Sequence, residues 1–307
     1  MLWTRNHNRL PGGFPAFLIF SSQITTILAP LTFGDCPSSA CRAWFPDSVS
    51  ETHNGTRAGT LEIMENNRCV IFAAGEYYAA PLLPDDRALI IAADGGLDHA
   101  AEAGITPDYI VGDFDSAARH PHHSDRTIVL PPEKDDPDLL SALKLGWAHG
   151  AREFHIYGAL GGRIDHTIAT LQLTALVCEH GGAAYVYGDG LTVTAVCDGA
   201  LHFAAQTFTD GPKYVSAFAH NDTARGVNEH GLKYELVDAT MDNTHVNGVS
   251  NELISGSEAS ISVEHGTLLV TFPAGTPTPS RTLFHEFSGD LGPLSTAVSS
   301  ALVSPRQ

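Results

Sequence analysis

Ile110-Val111-Gly112-Asp113-Phe114-Asp115-Ser116 is the stretch that decides the fold of this chain. Two β-branched residues enter, a glycine loosens the backbone, and two carboxylates leave with one residue between them. If the residues up to Val111 form a strand, Asp113 and Asp115 emerge at its carboxyl end, the rim where open α/β sheets place their ligands. Alternate positions on extended backbone share a side, so both carboxylates can face one hard cation. Taken alone, such a pair is usually a solvated acidic loop, and the neighbouring pattern has to decide.

Outward from this stretch, short continuous apolar runs predict strands over 69–74, 88–93, 108–111, 127–130, 154–157 and 184–187. Helical spacing predicts helices over 97–103, 138–149 and 165–180, each closed by a glycine. This alternation argues a parallel sheet covered on both faces. After Gly190 the rhythm becomes all-β, with strands over 191–196, 201–204, 214–219, 234–237, 259–263 and 267–272. Glu264-His265-Gly266 reads as a tight hairpin turn. The expected fold class is therefore an N-terminal parallel-sheet α/β domain (64–190) followed by a C-terminal β-sandwich domain (191–275). Residues 276–307, rich in Pro, Ser, Thr and Gly, read as a disordered tail. Residues 1–63 read as an unstructured extension rather than a secretory signal or transit peptide, with Met64 just before the first strand.

Composition narrows the function. The 307 residues include 17 basic and 35 acidic side chains, a formal charge of −18. Such a surface repels nucleic-acid phosphates and anionic membranes, so neither is an expected partner. No run reaches the roughly 18 apolar residues that a membrane span needs. The five cysteines (36, 41, 69, 178, 197) form no Cys-x-x-Cys, and Cys69 and Cys178 read as buried thiols, which fits a cytoplasmic, reducing setting. The sixteen histidines show no zinc-site spacing.

Acidic residues follow successive predicted strands: Asp94, then Asp113 and Asp115, then Asp135 with Asp138, and finally Asp165. In a parallel sheet these ends share one rim, so the residues converge. Packed carboxylates repel each other unless a cation neutralises them. Mg²⁺ is the natural occupant, since it prefers a few carboxylates, waters and substrate phosphates. Neither a P-loop nor a dinucleotide fingerprint is present. Gly158-Ala159-Leu160-Gly161-Gly162-Arg163 instead lets backbone N–H groups approach an anion at a helix N-terminus, with Arg163 adding a fixed charge. Lys134 is a second candidate cation, the alternative being an exposed surface pair.

Ala93-Asp94-Gly95-Gly96, Gly104-Ile-Thr-Pro-Asp108, Gly112-Asp-Phe-Asp-Ser116, Glu133-Lys-Asp-x-x-Asp138, Gly162-Arg-Ile-Asp-His166 and Ser250-Asn-Glu252 together resemble the ordered motifs of thiamine pyrophosphokinase, over roughly 68–272. The resemblance implies a homodimer, and Mg²⁺-dependent transfer of a pyrophosphoryl group from ATP to thiamine with release of AMP. Because Ser250 and Asn251 lie over a hundred residues from Asp113, in the β domain, the site is expected to form between subunits. It implies catalytic roles for Asp94, Asp113, Asp115 and Asp138, with Asp113, Asp115 and Asp138 on the metal. Lys134, Asp135, Gly162, Arg163, Asp165 and His166 fall to the ATP side, and Ser250 and Asn251 to the thiamine side. Two departures stand out: Pro137 replaces the usual threonine, and Ala169-Thr170 replaces alanine-asparagine. A pterin alcohol as acceptor, or a binding module without catalysis, are the competing readings.

Overall fold

The computed structural model describes residues 67–78, 88–114, 126–211 and 213–298. The expected extension over 1–63, Met64 and Asp115 lie outside them. Six strands, β1 (Arg68–Phe72), β2 (Leu89–Ala93), β3 (Tyr109–Gly112), β4 (Thr127–Val129), β5 (Glu153–Tyr157) and β6 (Ala183–Tyr187), run parallel in the order β6-β5-β1-β2-β3-β4. Side chains alternate between the two faces. Ile71, Ile91, Val111, Phe154 and Ile156 turn to one face, where Leu143 and Trp147 of α2 (Asp138–Ala148) and Leu173 and Val177 of α3 (Ile164–Glu179) bury them. Val70, Phe72 and Tyr157 turn to the other, beside Ala100 of α1 (Gly96–Glu102). Two covered faces explain the continuous apolar runs, each large side chain contributing about 1.5–3 kcal/mol on burial.

β7 (Leu191–Phe203) turns back antiparallel along β6, pairing Val193 with Val186 and Thr192 with Tyr187. It then pairs along its length with β12 (Ala259–Pro273). The remaining strands are β8 (Lys213–Ala219), β9 (Thr223–His230), β10 (Leu236–Asp242) and β11 (Asn251–Leu253). They extend the order as β10-β9-β12-β7, with β8 beside β12 and β11 beside β8. The expected sequence of a parallel α/β part and a later β-rich part is observed. The change at residue 190 is a change of core and not of sheet, because β7 belongs to both. The second core gathers Phe203, Val215, Val227, Ile261, Leu268 and Phe272.

Three local expectations are corrected. Glu264-His265-Gly266 is no hairpin: Val263 pairs with Gly199 and Thr267 with Cys197, so the stretch bulges out of one continuous strand. A glycine after polar residues signals a turn or a bulge alike, and only the partner strand distinguishes them. β7 is likewise one strand, where the sequence suggested two. β9 carries no apolar run and was not expected; it is held by ladders to β10 and β12 on its two sides.

The tail expected to be disordered over 276–307 packs on the body where it is described, and its residues 299–307 lie outside the described ones. β13 (Ser280–Leu283) pairs with β7, Tyr185 donates its hydroxyl hydrogen to the Pro279 carbonyl at 3.3 Å, and Leu291 is buried in the first core. The segment lacks a hydrophobic core of its own and borrows that of the body. His285 fastens it, with Nε2 3.0 Å from Asp198 Oδ2 and Nδ1 3.0 Å from the Glu286 carbonyl oxygen. With both ring nitrogens facing acceptors the imidazolium is favoured, and the Asp198 hydrogen bond raises the histidine above its usual range. A histidine raised on folding stabilises fully below its unfolded pKa and loses that contribution as pH climbs through the folded one. Hydrogen-exchange protection of the Phe284 amide, which donates to the Asp198 carbonyl, should therefore fall as pH passes upward through the neutral range. In Asp198→Asn the protection should be lower at acid pH and nearly independent of pH; an unchanged profile would refute the clasp.

Candidate active site

The chain builds β1 to β4 outward in one direction and returns to place β5 on the other side of β1. That reversal is the topological switch point, where strand ends diverge and leave a crevice. The β1–β5 ladder continues to Gly75, whose N–H donates to the Gly158 carbonyl at 2.7 Å. Beyond it opens a cleft of about 540 Å³. One wall carries Asp94 and Asp138, and the other carries the glycine loop with Arg163 and His166.

Asp94 ends β2 with φ of 48° and only 8% exposure, its N–H donating to the Val111 carbonyl at 2.9 Å. Gly112 makes that approach possible, since a Cβ there would lie 3.0 Å from the Asp94 Cα. Phe114, buried beside Asp113, also sits at positive φ (58°). Two non-glycine residues in left-handed conformation, each costing on the order of 1 kcal/mol, flank the same rim, and such strain concentrates at functional sites.

Lys134 does not itself line the cleft but joins Asp138, which does, to Asp113. Its Nζ is 2.9 Å from Asp113 Oδ2 and 3.2 Å from Asp138 Oδ1, with the lysine side chain only 7% exposed. It is not a surface pair. Burial alone would lower this ammonium, but the hydrogen bond to Asp113 and the charge of Asp138 outweigh it and hold it above its usual range. Burial raises the Asp138 carboxyl; Lys134 opposes that, while Asp113 and Asp94 reinforce it. Lys134 thus shares its charge between Asp113 and Asp138. Asp138 opens α2, where the helix dipole favours an anion. Pro137 stands at the N-cap in extended conformation with no side-chain cap, so the hydroxyl missing from the motif is not replaced there.

On the opposite wall, Gly161 and Gly162 adopt φ of 84° and 61°, which L side chains rarely reach. The Thr170 hydroxyl lies 3.0 Å from the Ala159 carbonyl oxygen and 2.9 Å from that of His166. The threonine found in place of asparagine thus ties α3 to the glycine loop. Arg163 and Asp165 form an exposed pair through Nε at 3.1 Å and Nη2 at 2.5 Å. The arginine's hydrogen bonds pull the Asp165 carboxyl down to about 2. Asp165 does not line the cleft, and Asp135 is exposed and outside it. Asp136, which the motif reading passed over, pairs with Lys144 at 2.5 Å.

Ser250 and Asn251 lie at the start of β11, away from this cleft. Asn251 was expected to offer donors and acceptors to a ligand, but its amide is saturated within the chain. Nδ2 donates to Glu229 Oε2 and to the Tyr234 carbonyl, both at 2.7 Å. Oδ1 accepts the N–H of Tyr234 at 3.0 Å and of Glu252 at 2.9 Å. Ser250, at φ of 62°, remains exposed.

Among the described residues no three His, Cys, Asp or Glu side chains form a ready-made metal cage. The donor set nevertheless suits a hard cation: Asp113 and Asp138 already share a positive charge, the Lys134 ammonium. Two carboxylates with waters and phosphate oxygens are what Mg²⁺ ordinarily takes.

Two family models match in chain order, the thiamin pyrophosphokinase catalytic domain over residues 81–186 and its vitamin B1 binding domain over 206–268, together more than half of the chain. The chain belongs to the thiamin pyrophosphokinase family. Solved structures agree in fold. A thiamin pyrophosphokinase family protein from Enterococcus faecalis is 25% identical with a TM-score of 0.56, over 67% of this chain and 98% of its own. The enzyme from Geobacillus thermodenitrificans is 24% identical with a TM-score of 0.55, over 68% and 99%. That from Candida albicans, at 15% identity and a TM-score of 0.54, covers 69% and 90%. No curated protein matches the chain.

Three polar residues escaped the sequence reading. Glu76, on the cleft wall one residue after Gly75, follows a strand end as the aspartates do and was open to the same argument. Thr170 was seen only as a departure from the motif. Glu229 gave no signal, because its strand was not recognised.

Proposed function

We propose that this thiamin pyrophosphokinase-family enzyme transfers the pyrophosphoryl group of ATP to the hydroxyethyl oxygen of thiamine, with Mg²⁺, giving thiamine diphosphate and AMP. The observation that carries the reading is the cleft at the switch point, lined by Asp94 and Asp138 on one side and the glycine loop on the other, with Lys134 joining Asp138 to Asp113 beside it. Phosphoryl-type transfer asks a protein mainly to position reactants and offset charge, and these two walls divide that work. The Gly161–Gly162 backbone and Arg163, which exchanges Asp165 for the ligand, bind the triphosphate. Asp113 and Asp138 would hold Mg²⁺, which supplies charge neutralisation at the transferred group when bound. Lys134 then passes its charge from the carboxylates to the phosphate oxygens. Asp94, or Asp115 from the motif that carries Asp113, orients the thiamine alcohol and accepts its proton.

The thiamine side rests on Ser250 and its neighbours on the β-rich part, which do not share the aspartate cleft within one chain. Around them Tyr214, Tyr234, Val249 and Ile254 are exposed. An apolar surface of this kind suits contact with a second copy, so the site is completed in a homodimer, the β-rich part of one chain facing the cleft of the other. The test is AMP release from ATP measured with and without thiamine and Mg²⁺. Release that requires both is the expected result. Binding of ATP and thiamine without AMP would favour a non-catalytic module, and AMP release with a pterin alcohol alone would move the acceptor.

A further inference from the structure

Glu229 is a carboxylate in the wrong place for an ordinary β-strand residue. It lies on β9 with 3% exposure, facing the second core between ladder partners Ile261 and Leu236. No lysine or arginine among the described residues pairs with it; its partner is the Asn251 amide, at 2.7 Å. A buried carboxyl held by one hydrogen bond is costly, and burial raises its pKa while the Asn251 amide draws it back. Two apolar side chains of similar size would pack there at lower cost, so packing does not account for it.

Asn251 explains what the carboxyl accomplishes. An amide has two N–H donors and one carbonyl oxygen, and all of them are used: the donors on Glu229 and the Tyr234 carbonyl, the oxygen on the N–H groups of Tyr234 and Glu252. Glu229 takes the second donor and, with the Tyr234 and Glu252 backbone, completes the set of partners that fixes which way the amide faces. With that orientation set, Asn251 staples the segment before β10 to the start of β11. Ser250, immediately before it, is held at φ of 62° with its N–H on Ser216 Oγ at 3.0 Å, and its hydroxyl stands at the surface.

We propose that Glu229 is a positioning residue for the substrate edge of the β-rich part, acting through Asn251 to hold Ser250 and the Tyr234 segment in the conformation that meets thiamine. Asn251 then acts by its grip on the backbone and not by touching the substrate. The inference deepens the thiamine reading above and rests on it for the substrate's identity.

The test compares Glu229→Leu, which fills the space without an acceptor, with Glu229→Gln, whose carbonyl oxygen still accepts from Asn251. Glu229→Leu should raise the KM for thiamine about tenfold, the effect of one lost hydrogen bond of about 1.4 kcal/mol. Its kcat and its KM for ATP should stay within about twofold of wild type, and Glu229→Gln should restore the thiamine KM. Asn251→Ala should give a similar rise, and the double variant no more than either alone, because the two act as one unit. Exchange of the Tyr234 and Glu252 amides should quicken in Glu229→Leu and not in Glu229→Gln. Glu229→Met replaces the leucine variant if that does not fold. A folded acceptor-less variant with wild-type thiamine KM, or a double variant with multiplied effects, overturns the proposal. If the wild-type enzyme turns over no thiamine, the substrate reading fails separately. The exchange data then decide the lock by themselves, unchanged protection overturning it.

Discussion

Asp113→Asn should lower kcat by about a thousandfold or more while the chain stays folded with a nearly unchanged melting temperature. The carboxylate lies on the strained rim after β3, within reach of the same Lys134 ammonium as Asp138. Removing its charge has two opposite consequences. At rest it eases repulsion among Asp94, Asp113 and Asp138, so folding loses little even though a hydrogen bond to Lys134 is weakened. In the reaction it takes away one of the two described oxygen ligands suited to Mg²⁺, and preorganised charge of this kind is commonly worth about 10²–10³ in rate even for a single donor. Calorimetric Mn²⁺ binding should weaken in parallel. Near-normal turnover at limiting Mg²⁺ would remove Asp113 from the metal site.

Lys134→Met should produce the second large effect, in two directions at once. The ammonium occupies the space between Asp113 and Asp138, so a divalent cation that binds both has to displace it. Methionine fills similar volume without charge and removes the ammonium that the two carboxylates share. Mn²⁺ should then bind the nucleotide-free protein about tenfold more tightly, close to 1.4 kcal/mol. Turnover should nevertheless fall about a hundredfold in kcat/KM for ATP, because the displaced lysine no longer meets the phosphates. Weaker metal binding in this variant would mean that Lys134 assembles the carboxylates and does not stand in for the cation.

Much of this was legible in the chain. Strands covered on both faces have to be apolar at every position, which is why Cys69 to Phe72, Leu89 to Ala93 and Phe154 to Tyr157 declared themselves, with Cys69 and Cys178 buried as expected. Candidate site carboxylates at strand ends follow from the same regularity, because a parallel sheet brings all its carboxyl ends to one rim. The β-rich part was less legible. β9 has polar or small residues at every position but Val227 and is a strand only because β10 and β12 supply ladders on its two sides. The strap after residue 275 has the composition of a disordered segment and is ordered by another strand's edge and a borrowed core.

By itself, then, the sequence determined the alternation of strands and helices, the glycine loop, and the placing of Asp94 and Asp113 directly after strand ends, since each depends on local periodicity and on the rim rule. Tertiary structure decided the rest. It made Lys134 a buried bridge and not a surface pair, left Asp135 and Asp165 outside the cleft, and turned Asn251 from a free amide into a saturated staple on Glu229. The physical reason is common to all of these. Whether a polar side chain is free depends on desolvation and on partners that can lie far along the chain, as Asp113 does from Lys134 and Glu229, 22 positions earlier, from Asn251, and local sequence pattern carries neither.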